Sequence, residues 1–161
     1  MATPAARSPA APLALAAVVS FAAVGAALVS QHAFGMEPCP WCILQRLIFL
    51  VVGVLALVGL AVRVAVARRG LAGLAGLLAL AGIAAAFWQH LVAAKTASCN
   101  LTLADRIVAW TTLDQQLPSV FEARASCADA AVRLLGVPYA MWSAAAFAVC
   151  AVALVAAIRR A

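Results

Sequence analysis

Charge is what this chain of 161 residues has least of: 10% of it is Asp, Glu, Lys or Arg, against 68% apolar residues. A soluble domain carries about 25% charged and about 45–50% apolar residues, so no water-facing shell can be assembled from this sequence. The same scarcity excludes intrinsic disorder. A net charge of +6 comes from scattered basic residues, which leave no basic face long enough to follow a phosphate backbone, so nucleic acid is not an expected partner. The length has room for one compact bundle, a single integral membrane domain over 1–161.

What is present is long apolar runs. A membrane helix needs about 20 mostly apolar residues to cross roughly 30 Å of hydrocarbon. Four windows meet or approach this: 13–30, 43–62, 71–91 and 139–158. Pro12, Arg63, the Arg68-Arg69-Gly70 run and Pro138 punctuate them. Many Gly and Ala residues within the windows let membrane helices pack with their backbones close. The expected fold is therefore an all-α membrane protein, a four-transmembrane-helix bundle. Arg7 followed by an apolar run could also be a secretory signal, but 18 residues exceed the usual 7–15 of a signal's apolar region.

Acidic residues are absent from three stretches that hold Arg7, Arg63, Arg68, Arg69, Arg159 and Arg160. Because cytoplasmic connections retain positive charge, both termini and the second-to-third connection are expected on the cytoplasmic side. Glu37, Asp105, Asp114, Glu122 and Asp129 all fall in the other two connections, 31–42 and 92–138, which face outward. In the second of these, Ile107, Trp110, Leu113 and Leu117 recur at spacings of three or four. That pattern predicts a short amphipathic helix over 105–117, ended by Pro118 and lying on the membrane surface.

Four of the five cysteines share the outer face: Cys39 and Cys42 before the second span, Cys99 and Cys127 in the long loop. Cys150 lies within the fourth span, where a thiol packs as a small apolar group. On an oxidising side of a membrane an even set of cysteines reads first as disulfides, and three pairings are open. A C-x-x-C ring removes little loop entropy, so its expected use is exchange. Cys42 begins a helix, where free N–H groups and the macrodipole favour a thiolate. Arg46 is one turn deeper on the same face and can approach a charge there.

These residues resemble the DsbB family of quinone-dependent thiol oxidases of bacterial inner membranes. The resemblance is carried by Glu37-Pro38-Cys39-Pro40-Trp41-Cys42 running through Gln45-Arg46, by Ser98-Cys99 and Ser126-Cys127-Ala128, and by Gly136-Val137-Pro138 through Trp142. It covers nearly all of the chain after the first span. It implies a thiol oxidase in the bacterial cell inner membrane, its redox cysteines facing the periplasm, that takes electrons from a DsbA-like thioredoxin-fold protein. They pass through two cysteine pairs to ubiquinone or menaquinone, the route that keeps the periplasm oxidising. By the same resemblance Cys99 forms the mixed disulfide with the partner and Cys127 is its mate. Cys39 and Cys42 are then the pair at the quinone, with Cys42 nearest the ring and Arg46 beside a quinone oxygen. His90, at the outer end of the third span, is a candidate donor to the quinone; His32 is expected at the surface. The Pro40-Trp41 dipeptide between the first two cysteines is not diagnostic of the family.

Other classes fit less well. A zinc site of four thiolates lacks a second C-x-x-C, and no metal is expected. A small transporter or scaffold, with purely stabilising disulfides, lacks the ionisable residues within its spans that a pump uses. Vitamin K epoxide reductase relatives place their C-x-x-C at the last helices rather than before the second.

Overall fold

A computed structural model describes residues 8–95 and 102–161. Four of its helices are long and apolar enough to cross a membrane: α1 (Ala10–Phe34), α2 (Pro40–Ala61), α3 (Ala65–Leu91) and α7 (Tyr139–Arg160). At 1.5 Å per residue the 22 residues of α2 rise roughly 33 Å. α1 packs on α2 and α7, and α3 packs on α2 and α7, so the four helices close a ring in which sequence neighbours lie side by side.

Packing follows membrane rather than aqueous logic. The stripe Ala72, Ala75, Ala79, Gly82 and Ala86 of α3 is buried, whereas Leu74, Leu77 and Leu80 of the same helix are exposed. Small residues inward and large apolar residues outward suit a lipid surround, where close backbone approach, not hydrocarbon burial, holds helices together. Phe49 of α2 and Phe147 of α7 stack with ring centroids 3.6 Å apart. The Phe147 ring fills the space where a side chain at position 82 would begin, which requires Gly there.

Local signals explain the helix ends. α1 runs past the apolar window, through Gln31 and His32, until Gly35 takes a left-handed conformation and Met36 N–H bonds back to the Ser30 carbonyl. α2 starts on Pro40, whose missing N–H is no loss in the first turn, and Cys39 caps it by accepting from the Cys42 N–H at 3.3 Å. α3 also begins earlier than its apolar window and includes Arg68 and Arg69 in its first turns.

The long connection between α3 and α7 holds a 3-10 turn (Ala93–Lys95) and then α4 (Leu103–Thr111), α5 (Leu113–Gln116) and α6 (Pro118–Phe121). The single helix expected over 105–117 is thus divided. Thr112 has φ +56°, a left-handed residue that ends α4 and begins α5, and Pro118 opens α6. α4 begins two residues before the expected start because Thr102 and Asp105 cap each other's backbone N–H. It buries Ala104 and Val108 against the start of α2 and leaves Leu103 and Trp110 exposed. A hairpin of β1 (Arg133–Leu134) and β2 (Val137–Pro138) then leads into α7. Its turn residues Leu135 and Gly136 both have positive φ, as a two-residue turn of this hand requires.

Candidate functional site

The N-terminus of α2 gathers the chemistry. Cys39 is wholly buried, and its sulfur lies 2.7 Å from that of Cys42. No disulfide joins the described cysteines. Backbone pairing between the α1–α2 and α3–α7 connections brings in a third. The N–H groups of Arg124 and Ala125 donate to the Pro38 carbonyl at 3.0 and 3.3 Å, which draws the following turn against Cys39. Ser126 fixes that turn, its hydroxyl donating to Asp129 and accepting from the Asp129 N–H. Cys127 at its head is buried, hydrogen-bonded to the Cys39 thiol and to the Trp41 N–H.

The Cys39–Cys127 contact shifts the two thiols in opposite directions. Cys39 is pushed far above the ordinary thiol range by its hydrogen bonds to Cys127 and Cys42 and by burial. Cys127 is lowered, chiefly because it accepts from Cys39 and secondarily from the Trp41 N–H, with burial opposing. Cys127 is therefore the more readily ionised thiol of the two.

Arg46 lies one turn below Cys42 and is 4% exposed. One guanidinium nitrogen donates to Gln31 Oε1 of α1 at 3.0 Å and to the Val120 carbonyl of α6. Gln31 and His32 both reach the neighbouring Ser119 carbonyl, so the end of α1 and Arg46 together hold α6 over the bundle. A carbonyl only accepts, so the His32 Nε2 carries the proton in this contact. The Arg46 Nε is buried and has no partner among the described residues.

Beside Cys42 and Arg46 lies a cavity of ≈ 640 Å³, within the range of small-molecule sites. Its polar end is formed by Cys42, Gln45, Arg46 and Gln89, and its apolar walls include Val24, Ala27 and Phe49. Tyr139 and Ser30, joined by a hydrogen bond at 3.2 Å, line the side where α7 meets α1.

The sequence-derived residues fare differently. Cys39, Cys42, Cys127 and Arg46 are brought together; Cys99 lies outside the described residues. His90 is half-buried at the end of α3 but is not among the residues lining the cavity, where its neighbour Gln89 stands instead. His32 is at the surface as expected, with the added contact to Ser119. Cys150 is fully buried between α1 and α7, within 3.5 Å of the Ser20 hydroxyl. Gln31 and Gln89 were not singled out from the sequence. A signal for Gln89 exists: it continues the small-residue stripe of α3, three residues past Ala86 and seven past Gly82, which is the face that meets the other helices.

Comparison with known proteins agrees on one family. The model described as Disulfide bond formation protein DsbB matches residues 9–157. The chain is 36% identical over 147 residues to Disulfide bond formation protein B of Ralstonia nicotianae, covering 91% of each. It is 36% identical over 130 residues to the protein of the same name from Cupriavidus metallidurans, covering 80% of each. With Disulfide bond formation protein B 1 of Pseudomonas savastanoi pv. phaseolicola it shares 35% identity over 152 residues, 92% of this chain and 88% of that one. No solved structure matches the chain significantly.

Proposed function

This chain belongs to the DsbB family of disulfide bond formation proteins, and from that membership we propose that it reoxidises a DsbA-like thioredoxin-fold dithiol at the periplasmic face of a bacterial inner membrane, passing the electrons to ubiquinone or menaquinone. The observation that carries this reading is the juxtaposition of three thiols and one cavity. Cys127 touches Cys39, Cys39 touches Cys42, and Cys42 and Arg46 line the cavity.

The exchange follows from thiol chemistry. When Cys39 and Cys42 are joined, the Cys127 thiolate attacks the Cys39 sulfur; the Cys39–Cys127 bond forms, the Cys39–Cys42 bond breaks, and Cys42 leaves carrying the electron pair. Cys127 acquires that pair from the partner's dithiol through Cys99, whose bond to the partner is resolved by the partner's second thiol. The net flow is two electrons inward, from the partner to the sulfur beside the cavity.

The cavity suits a quinone ring. The Arg46 Nε, without a partner among the described residues, is a donor for a ring oxygen, and Tyr139 and Ser30 add hydroxyls at the wall. A quinone bound there supplies a two-electron, two-proton acceptor. The residues of this chain hold it: Arg46 favours negative charge on an oxygen or on the Cys42 sulfur in a poorly solvated place, and the apolar walls keep water out. α4, with Leu103 and Trp110 turned away from the bundle, lies on the outer membrane surface and keeps the long loop near Cys39.

The test is a coupled assay. Purified protein in detergent is mixed with a reduced thioredoxin-fold dithiol and a quinone, and quinone absorbance is followed. The reading predicts loss of one quinone per dithiol oxidised; dithiol oxidation without quinone loss would overturn it.

A further inference from the structure

We propose that Gln89 is a positioning residue for the Cys39–Cys42 pair: its carboxamide, oriented by Gln45, donates hydrogen bonds to both sulfurs and stabilises the Cys42 thiolate that exchange leaves behind. The inference deepens the relay reading, from which it takes only the identity of Cys42 as the leaving sulfur.

The geometry is that of a fixed donor. Gln89 Nε2 lies 3.1 Å from the Cys42 sulfur and 3.4 Å from that of Cys39. Its Oε1 accepts from Gln45 Nε2 at 2.6 Å. A carboxamide has one accepting and one donating end, so with Gln45 on its oxygen Gln89 turns its NH₂ to the sulfurs. Both amides are buried, Gln45 being 3% and Gln89 5% exposed.

The chemistry explains the residue type. A thiolate at the edge of a bilayer is poorly solvated, and a hydrogen bond to a charged group is worth more than one between neutral groups. A carboxylate at position 89 would repel it, and a second buried cation beside Arg46 would carry its own desolvation cost. A neutral donor avoids both. One NH₂ spanning two sulfurs also keeps a donor on Cys42 while Cys39 changes partner. Gln45, three residues after Cys42 on α2, ties this arrangement to the helix that carries the pair.

The experiment uses the reduced full chain in detergent, with neither quinone nor partner, and measures the iodoacetamide alkylation rate of Cys42 near neutral pH by peptide mass spectrometry. Gln89→Leu is expected to slow alkylation about tenfold, because less of the thiol is ionised. Gln89→Glu, similar in shape but unable to donate when ionised, slows it at least as much, and Gln45→Leu slows it less. In equilibrium with glutathione, Gln89→Leu shifts the Cys39–Cys42 pair towards its disulfide. A residue that merely packs gives the opposite sign, since loosened packing exposes Cys42 and speeds alkylation. An unchanged or faster rate in Gln89→Leu overturns the proposal; where that variant does not fold, the same result in Gln89→Glu does so. Failure of the wild type to reduce quinone would sink the relay and leave this assignment intact.

Discussion

The thiol of Cys127 rests in a hydrogen bond with that of Cys39, although Cys39 precedes α2 and Cys127 lies in the connection between α3 and α7. The Pro38 carbonyl, taken up by the N–H groups of Arg124 and Ala125, holds the loops in that register. The turn that carries Cys127 is thereby docked on a buried cysteine whose neighbour Cys42 lines the cavity.

This contact makes the first prediction. In Cys42→Ser the exchange has no leaving sulfur to return the bond, so oxidised protein should accumulate a Cys39–Cys127 disulfide. Non-reducing peptide mapping should find that linkage as the main product; a map with Cys39 alkylated and free would contradict it.

Removing Cys127 should have a different result. With Cys127 gone Cys99 is a free thiol, so Cys127→Ala mixed with a thioredoxin-fold protein whose second cysteine is replaced and whose first is held as a mixed disulfide with thionitrobenzoate should displace one thionitrobenzoate and keep the Cys99–partner bond, which no neighbouring thiol can resolve. A band of summed mass on non-reducing gels, absent in Cys99→Ala, is the expected outcome.

The pH dependence carries a sign. Cys127 is lowered because Cys39 donates to it, so its thiolate persists below the pH at which an ordinary thiol protonates. Exchange and alkylation at Cys127 should therefore hold up as pH falls through the usual thiol range. Cys39→Ala removes the donor and should move that falling limb to higher pH. Alkylation of Cys127 followed across pH in both proteins checks the direction.

Arg46 joins the cavity to the loop. Arg46→Met removes the donor to Gln31 and Val120 and the free Nε together. At about 1.5–3 kcal/mol for a hydrogen bond to a charged group, quinone KM should rise roughly 10- to 100-fold. Arg46→Lys keeps the charge without the planar fork and should recover only part of the loss.

Gly82 tests the packing. A methyl group there meets the Phe147 ring, which is itself stacked on Phe49, so Gly82→Ala should destabilise the bundle by about 1–3 kcal/mol in spite of the better helix propensity of Ala. Gly76→Ala, whose methyl group comes only to 4.0 Å of Leu154, should be neutral or stabilising. Thermal unfolding of both in one detergent compares them.

The sequence made the four spans and the cysteine constellation legible because both are local: an apolar run announces a span, and a C-x-x-C before a helix announces its cap. Helix ends were less so. Apolar windows stop at polar residues, whereas α1 continues through Gln31 and His32 to the left-handed Gly35, and α3 starts before Arg68. The break at Thr112 depends on a positive φ that its residue type does not announce. Least legible were the contacts between loop and bundle: Gln31 to Ser119, Arg46 to Val120 and Gln89 to Cys42 join residues far apart in the chain, and no spacing rule reaches that far. His90 drew notice as the polar group at the end of α3, while helical geometry turns Gln89 to the cavity.

The most direct test of the account is quinone reduction by Cys42→Ser beside the wild type, with the same reduced dithiol and the same quinone. The wild type should bleach quinone in step with dithiol oxidation, and Cys42→Ser, folded and carrying its other cysteines, should bleach none. Bleaching at the wild-type rate by Cys42→Ser would contradict the claim that electrons leave the protein through the sulfur at the cavity.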